Sequence, residues 1–220
     1  MVTPVRIDFV SDVVCPWCAI GVASLMQALQ EVDDEIRAEI YFHPFELSPE
    51  MGPAGENVIE YLSAKYGSSS EQIQETWKTI TERGADVGFE FNFRADSRKW
   101  NTFNAHRLLM WAGTVDLQKQ LQLKLELLKA GFTDNRPLDD AAVLLELAVL
   151  AGLDGAKAQD ILASDAFGSD VRDEEQEWQE MGVRSVPTMV FNRRYAVSGG
   201  QPPATLVQVL RKVASEAAAG

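Results

Sequence analysis

The two cysteines of the chain, Cys15 and Cys18, lie three positions apart in a Cys-Pro-Trp-Cys segment. After the segment, apolar residues recur at helical spacing on the face of Cys18, namely Val22, Leu25 and Leu29. This periodicity predicts a helix that begins at the segment. We therefore expect two unequal thiols, with Cys15 at the exposed tip of the turn and Cys18 buried beneath it.

A thiol at the N-terminus of a helix is a nucleophile that the helix itself activates. The free N–H groups and the partial positive charge of that end favour a thiolate, so we expect a lowered pKa for Cys15. Pro16 suits the first helical position, where a missing N–H costs nothing. The thiolate would attack a disulfide to form a mixed disulfide, which Cys18 would then resolve. Such a segment between a strand pattern and a helix pattern is typical of a thioredoxin-like redox site.

Three other interpretations of the cysteine pair compete with redox chemistry. A structural disulfide is weakly supported, because so small a loop constrains the unfolded chain little. A zinc site would need His43 and His106, which are too distant in sequence for the short histidine spacing of zinc motifs. Two inert buried thiols remain an open alternative at this point.

The composition is that of a globular chain with an acidic surface. Hydrophobic residues make up 46% of the 220 residues, and 33 Asp and Glu against 20 Lys and Arg give a formal net charge of −13. This charge argues against nucleic acid or an anionic membrane as the partner. The first residues lack the basic and apolar regions of a secretory signal, so we expect a cytoplasmic protein. In a reducing cytosol, a lone cysteine pair is more often catalytic than structural.

Strand and helix patterns predict an α/β unit at each end of the chain. Val5–Val10 and Ile36–Phe45 are predicted strands on either side of the helix from Cys15 to about Val32, which makes a βαβ unit with parallel strands. The last part of the chain predicts a helix, a hairpin of two strands and a final helix, at Ala166–Met181, Thr188–Asn192, Tyr195–Ser198 and Pro203–Ala214.

The middle of the chain is predicted to be a helical insertion. Several glycines there are expected to end successive helices as C-terminal caps: Gly67, Gly88, Gly113, Gly131 and Gly152. We therefore predict an α/β fold of the thioredoxin-like type, βαβ followed by αββα. Its discontinuous thioredoxin-like domain would occupy residues 1–56 and 166–220, and the helical insertion domain residues 57–165.

The segment before the hairpin offers a second part of the site. Pro187 opens a strand pattern although it cannot donate to a ladder. A cis Val186–Pro187 bond would explain its position, and a trans proline at the start of an edge strand is the alternative. In thioredoxin-like proteins such a loop lies beside the cysteine pair and offers backbone to the substrate.

Several segments of the chain together resemble one known family. They are Ser11-Asp12 with the cysteine segment, Pro44-Phe45-Glu46-Leu47, Asn101 to Leu108, Gly182 to Thr188, and Tyr195 to Pro202. In this order, from about residue 5 to residue 208, the chain resembles the DsbA-type thioredoxin-fold family, and most closely its FrnE-like cytosolic branch. The resemblance implies a thioredoxin fold with a helical insertion, and thiol–disulfide exchange at Cys15 and Cys18.

The resemblance also indicates which residues would bind substrate beside the two thiols. The candidates are Pro16, Trp17, Val186, Pro187, Asn101, Thr102 and His106. Trp17 could form an apolar platform for a substrate, and His106 could either tune Cys15 or serve the structure alone. The other tryptophans lie in helical patterns and are predicted to be core: Trp77, Trp100, Trp111 and Trp178.

One position departs from the pattern of the family. Thioredoxin-like domains often keep a buried acid in the strand before the cysteines as a proton relay. Asp8 lies seven positions before Cys15, one more than the usual six, which puts that role in doubt. Asp12 is an acid of the following loop, and the sequence leaves open whether either carboxylate acts in the chemistry.

The leading functional hypothesis is a disulfide oxidoreductase or isomerase acting on protein or small-molecule substrates that contain a thiol or a disulfide. No bound cofactor or metal is expected, and glutathione or another thiol reductant would serve as co-substrate. The alternatives are a glutathione-dependent isomerase or transferase of the 2-hydroxychromene-2-carboxylate isomerase type, and a non-catalytic binding module. No nucleic-acid or membrane partner is expected. The oligomeric state stays open.

Overall fold

The computed structural model describes residues 2–219 of the chain. Six strands lie in this part: β1 Thr3–Ser11, β2 Ile36–Pro44, β3 Glu56–Asn57, β4 Arg98–Lys99, β5 Thr188–Phe191 and β6 Tyr195–Ser198. Nine helices lie in the same part: α1 Pro16–Glu31, α2 Val58–Tyr66, α3 Ser70–Asp86, α4 Phe103–Val115, α5 Leu117–Phe132, α6 Ala141–Leu150, α7 Gly155–Leu162, α8 Gly168–Glu180 and α9 Pro203–Ala219. The predicted α/β fold with a helical insertion is confirmed.

The four-stranded sheet has the order β2-β1-β5-β6. β1 runs parallel to β2 through the crossover helix α1, and antiparallel to β5, which forms a hairpin with β6. Side chains alternate along β1, so Ile7 and Phe9 pack with α1 and α9, whereas Val10 packs with Trp178 of α8. Because both faces of β1 are covered, the strand that leads to Cys15 is held inside the protein.

The helical segment shares its apolar core with the sheet. Ile80, Phe91 and Leu128 belong to the same cluster of buried side chains as Phe9 of β1. A second cluster lies among α4 to α7 and includes Val13, from the loop between β1 and the cysteines. The insertion therefore packs directly against the part of the chain that carries the cysteines. The predicted domain boundaries at residues 57 and 165 stay a prediction.

Two of the glycines predicted to end helices have a different role. Gly67, Gly88 and Gly152 have positive φ angles just after helices, as C-terminal caps require. Gly113 instead lies inside α4 and Gly131 inside α5. A Cβ atom at these positions would lie 2.8 Å from Gln120 and 2.9 Å from Leu138, respectively, so both glycines allow close packing between elements.

A short two-stranded sheet lies where the chain enters the insertion, and the sequence pattern did not predict it. In it, β3 pairs with β4 in an antiparallel register that sets Glu56 opposite Lys99 and Asn57 opposite Arg98. Asn57 also caps α2, because its side chain accepts hydrogen bonds from the N–H groups of Ile59 and Glu60. The chain that enters the insertion is thus fixed to the chain that leads into α4. None of the helices described here is long and apolar enough to cross a membrane.

Asp8 of β1 is the centre of a buried polar network. Its carboxylate is fully buried and accepts hydrogen bonds from Arg6 Nη2 at 2.6 Å and from His43 Nε2 at 2.9 Å. The other ring nitrogen of His43 bonds to Glu174 of α8. Burial alone would raise the pKa of Asp8, but the bonds from His43 and Arg6 outweigh it and lower the pKa to about 2. Asp8 therefore ties β1 to β2 and α8.

We predict that Asp8→Asn lowers the free energy of unfolding at pH 7 by about 2 kcal/mol or more, because Arg6 and His43 lose the buried carboxylate to which they donate. A carboxylate with a depressed pKa stabilises the fold above its ordinary pKa, near 3.8, and this stabilisation fades as the pH falls towards 2. Urea unfolding at pH 7 and at pH 3 should therefore show a smaller difference between variant and wild type at pH 3.

Asp96→Asn is a matched control, because Asp96 is 81% exposed and pairs only with Arg94 at 3.5 Å. We expect neither substitution to change the redox equilibrium of the two cysteines. A shift of that equilibrium in Asp8→Asn alone would contradict the structural role and would restore the proton-relay hypothesis for this carboxylate.

Candidate active site

Cys15 is the N-cap residue of α1 and Pro16 occupies the first turn, as the sequence predicts. The carbonyl oxygen of Cys15 accepts hydrogen bonds from the N–H groups of Cys18 at 3.0 Å and Ala19 at 3.3 Å, which begin the helix. Both cysteines are free thiols. Cys18 is fully buried, as expected, but Cys15 is only 5% exposed, so the prediction of an exposed tip was wrong.

The loop before β5 covers Cys15. The Sγ–H group of Cys15 points at the carbonyl oxygen of Val186, with 3.7 Å between sulfur and oxygen. The Val186–Pro187 peptide bond is cis. The Pro187 ring packs on α1 at Gly21, where a Cβ atom would lie 3.2 Å from Pro187 Cγ. This loop accounts for the burial of Cys15, because it brings backbone from the last part of the chain over the sulfur.

The two thiols are unequal in acidity. A hydrogen bond from the Cys18 thiol lowers the pKa of Cys15 against the effect of burial, and the backbone N–H groups of Cys18 and Trp17 lower it further. Burial raises the pKa of Cys18 well above its ordinary value. Of the two thiols, Cys15 is therefore the more acidic and the better suited to act as a nucleophile.

Asp12 is the carboxylate that acts on the cysteines. It is fully buried; its Oδ2 accepts a hydrogen bond from the Leu47 N–H at 2.8 Å, and its Oδ1 lies 3.3 Å from His106 Nε2. Burial opposes ionisation, but the bonds from His106 and Leu47 outweigh it and keep the pKa of Asp12 below its ordinary value. The negative charge raises the pKa of Cys15, which partly offsets the hydrogen bonds from Cys18 and Trp17.

Lys124 of α5 places a buried cation beside the cysteines. Its side chain is completely buried, and within residues 2–219 its Nζ atom has no hydrogen-bond partner. The Nζ atom lies 5.7 Å from the centre of the Phe42 ring. Burial lowers the pKa of Lys124 to about 8, although Cys18, Asp12 and Cys15 act in the opposite direction. The sequence analysis missed this residue.

A cavity of about 470 Å³ lies between the cysteine segment and the helical insertion. Cys15, Pro16, Trp17 and Val186 form one wall. The other lining residues come mostly from α2, α3 and the chain from Phe93 to Trp100, and Phe132 and Leu138 also line the cavity. The Cys15 thiol therefore lies beside a partly open, largely apolar cavity.

The predicted site residues separate into two groups. Pro16, Trp17 and Val186 line the cavity, and Pro187 lies behind them on α1. The other predicted residues are engaged elsewhere and are not among the described residues that line it: Asn101, Thr102 and His106. Asn101 donates to the Met51 carbonyl at 2.8 Å, and Thr102 is the N-cap residue of α4. His106 contacts Asp12 and does not line the cavity.

Two of the tryptophans predicted to be core belong to the cavity. Trp77 and Trp100 are partly buried and line it, whereas Trp111 and Trp178 are each only 6% exposed and lie in the core. The zinc interpretation finds no support in geometry, because within residues 2–219 no three His, Cys, Asp or Glu side chains come together as metal ligands would.

The family model of the DSBA-like thioredoxin domain matches residues 6–211 of the chain. The chain belongs to this family. A crystal structure of a probable DsbA oxidoreductase from Streptomyces coelicolor is 33% identical, with a TM-score of 0.87 over 96% of this chain and 91% of that one. The resemblance found in the sequence is therefore confirmed at the level of the DsbA-like family, which is a family of thiol–disulfide oxidoreductases.

Two more distant structures share the fold alone. The cytosolic disulfide reductase DsbM from Pseudomonas aeruginosa is 18% identical, with a TM-score of 0.61 over 94% of this chain and 99% of that one. A 2-hydroxychromene-2-carboxylate isomerase is 15% identical, with a TM-score of 0.72 over 97% of this chain and 98% of that one. The fold is thus shared by proteins with different named activities.

We predict that Lys124→Met stabilises the protein at pH 7, because the wild type must keep a charged ammonium in its interior. The unfolded chain binds more protons than the folded one between about pH 8 and the ordinary lysine value of 10.5. Lys124 therefore destabilises the fold below pH 8, by on the order of 3 kcal/mol, and this cost disappears as the pH rises towards 10.5.

The measurement is urea unfolding of both proteins between pH 7 and pH 10, with the cysteines kept reduced. The advantage of Lys124→Met should shrink with rising pH. Lys129→Met, at a position on the same helix that is 62% exposed, should leave the stability within about 0.5 kcal/mol of wild type. A loss of stability in Lys124→Met at pH 7 would show that the attraction of Asp12 and the thiols exceeds the cost of burial.

Proposed function

We propose that this protein catalyses thiol–disulfide exchange with the Cys15–Cys18 pair. The observation that carries the proposal is the geometry of the pair: Cys15 is the N-cap residue of α1 beside the cis Val186–Pro187 loop, and Cys18 is buried one turn later. The directions of the pKa shifts agree with it, lowered for Cys15 and raised for Cys18. Membership of the DSBA-like thioredoxin domain family supports the same chemistry.

In the proposed reaction, the Cys15 thiolate attacks one sulfur of a substrate disulfide. A bond forms between Cys15 Sγ and that sulfur, the substrate S–S bond breaks, and the other substrate sulfur leaves as a thiolate that takes a proton from water. The Cys18 thiol then loses its proton and attacks Cys15 Sγ, which releases the second substrate thiol. The substrate disulfide is reduced by two electrons, and the enzyme dithiol becomes a disulfide.

Lys124 assists the second step in this proposal. Because Cys18 has a raised pKa, its proton must leave before the thiolate can attack. A buried cation beside the pair stabilises the thiolate that forms, and the pKa of Lys124 near 8 allows it to hold that charge at neutral pH. Asp12 holds a negative charge close to the same groups, so the reaction takes place between two opposite buried charges.

Several further features are part of the proposal. Pro16, Trp17 and Val186 would contact the substrate, since they surround Cys15 at the cavity wall. Glutathione or a related thiol would return the pair to the dithiol form, and no bound cofactor is needed. We also propose a place in the cytosolic FrnE-like branch of the family and in the cytoplasm, with which the shared fold of the cytosolic DsbM is compatible. The substrate would be a protein or a small molecule with a thiol or disulfide.

A glutathione-dependent isomerase is the second candidate. Its support is the shared fold with 2-hydroxychromene-2-carboxylate isomerase and the largely apolar cavity next to Cys15. In that reaction glutathione would supply the nucleophile, and a second enzyme thiol would have no role. Cys18 therefore distinguishes the two candidates. A non-catalytic binding module would need neither thiol.

We predict that Cys15→Ser abolishes exchange with oxidised glutathione and with a disulfide-bonded protein, because the attacking sulfur is lost. Cys18→Ala should still react once at Cys15 and then remain as a stable mixed disulfide, since the resolving thiol is absent. Mass spectrometry after mixing each reduced variant with excess oxidised glutathione measures both outcomes. Wild type should accumulate the internal disulfide.

The contrary results are specific. Turnover of Cys18→Ala at the wild-type rate would move the assignment to glutathione-dependent chemistry. Alkylation of both thiols at the slow rate of ordinary buried cysteines would favour the binding module. Circular dichroism of the two variants should match wild type, because neither substitution removes a hydrogen bond that holds an element in place.

A further inference from the structure

The cavity beside Cys15 differs in charge from the rest of the protein. The chain carries 33 Asp and Glu against 20 Lys and Arg, yet none of the described residues that line the cavity is acidic. Two of the lining residues are basic, Arg98 and Lys99. Among the described residues, the lining of the cavity beside Cys15 therefore lacks the carboxylates that dominate the composition of the chain.

In the part of the chain that the structure describes, no carboxylate neutralises the two basic side chains. In the described part of the chain neither Arg98 nor Lys99 forms an ion pair with a carboxylate, although Glu56 is the cross-strand partner of Lys99. Arg98 donates only to the backbone carbonyls of Ala54 and Gly55, at 2.8 to 3.0 Å. The Lys99 Nζ atom lies 4.7 Å from the centre of the Tyr61 ring.

Strand pairing holds the backbone that carries these two cations. Arg98 and Lys99 form β4, which pairs with β3 at the entrance of the insertion. The Arg98 guanidinium also lies 5.6 Å from the centre of the Trp100 ring. Both residues line the same cavity as Cys15 and Val186.

A large part of the remaining cavity lining is aromatic and aliphatic. The side chains that form this part are Trp17, Trp77, Phe93, Trp100, Phe132 and Leu138. The volume of about 470 Å³ lies within the range of about 300–1,000 Å³ that is typical of small-molecule sites. An apolar body fits this lining, and a charged peptide chain would lose its hydration without replacement.

We propose that the cavity binds a small disulfide or thiol with an aromatic or branched apolar body and an anionic group, the anion lying at Arg98 and Lys99 and the sulfur at Cys15. This proposal rests on the thiol–disulfide exchange proposed above and names its substrate class. The cations also offset the repulsion between an anionic substrate and the Cys15 thiolate.

The reaction with such a disulfide follows the same steps as the exchange described above. Cys15 Sγ bonds to one aryl sulfur, the aryl disulfide bond breaks, and the second arylthiolate leaves. Attack by Cys18 on Cys15 Sγ releases the first arylthiol and forms the enzyme disulfide. Two molecules of glutathione then reduce the enzyme disulfide and become one molecule of oxidised glutathione.

Two aromatic disulfides of similar size test the proposal. One is 5,5′-dithiobis(2-nitrobenzoate), which is anionic, and the other is 4,4′-dithiodipyridine, which is uncharged at neutral pH. The second-order rate constant of each with the reduced protein is divided by its rate constant with free cysteine, which removes the intrinsic reactivity of the reagent. We expect the normalised rate of the anionic reagent to exceed that of the uncharged one by about tenfold or more.

The double variant Arg98→Gln, Lys99→Gln should lower the ratio of anionic to uncharged rate by about tenfold. The double variant Lys78→Gln, Lys129→Gln removes the same formal charge at exposed positions outside the cavity, and should keep the wild-type ratio. Thr76→Trp, at an exposed position of α3 that lines the cavity, should slow both aromatic reagents and spare bis(2-hydroxyethyl) disulfide.

Reduction of insulin by the wild type separates this proposal from the one on which it rests. A wild type that reduces insulin but shows no preference for the anionic reagent, or an equal ratio in the two double variants, overturns the substrate class and leaves disulfide exchange intact. A wild type that reacts with none of these disulfides overturns both proposals.

Discussion

The site depends on the different environments of two sulfur atoms that lie one helical turn apart. Cys18 lies on the buried side of α1, where burial raises the pKa of its thiol. A hydrogen bond from this thiol favours the thiolate form of Cys15. The asymmetry needs both the N-terminus of α1 and the loop at Val186, because the first supplies N–H groups and the second excludes water from Cys15. The sheet holds these parts together, since β1 leads to Cys15 and pairs with β5, the strand that follows Pro187.

The helical insertion contributes charge as well as walls to the site. Lys124 of α5 and His106 of α4 reach the groups beneath the cysteines, where His106 holds Asp12 in its ionised form. Near the cavity surface the insertion supplies Arg98, Lys99 and most of the apolar lining. The two cysteines thus belong to one part of the chain, and the charged groups near them and most of the cavity lining belong largely to another.

The elements that carry the cysteines could be predicted from sequence, because the patterns of β1, α1 and β2 arise from burial along one short stretch. The groups that tune the site could not. Lys124 lies in the buried face of α5, where a charged residue looks like a break in the apolar pattern rather than part of a site. A signal was present, since the surrounding positions on that helix are leucines: Leu121, Leu123, Leu127 and Leu128.

Other errors arose from contacts between distant parts of the chain. The Val186 carbonyl that covers Cys15 is 171 positions away, so local pattern predicts an exposed tip. Gly113 and Gly131 resemble helix ends in sequence, but they lie inside α4 and α5, where they pack closely against Gln120 and Leu138. Asp8 and Asp12 could not be distinguished by register alone. Only the fold shows that Asp8 belongs to the network with His43, and that Asp12 lies beside the thiols.

The redox equilibrium of the Cys15–Cys18 pair in glutathione buffers tests the central claim most directly, with the state of both thiols read by alkylation and mass spectrometry. The account predicts a reversible dithiol–disulfide couple within the range that glutathione can poise, about −230 to −180 mV, and its loss in Cys18→Ala. A pair that forms no internal disulfide at any ratio of reduced to oxidised glutathione would contradict the account.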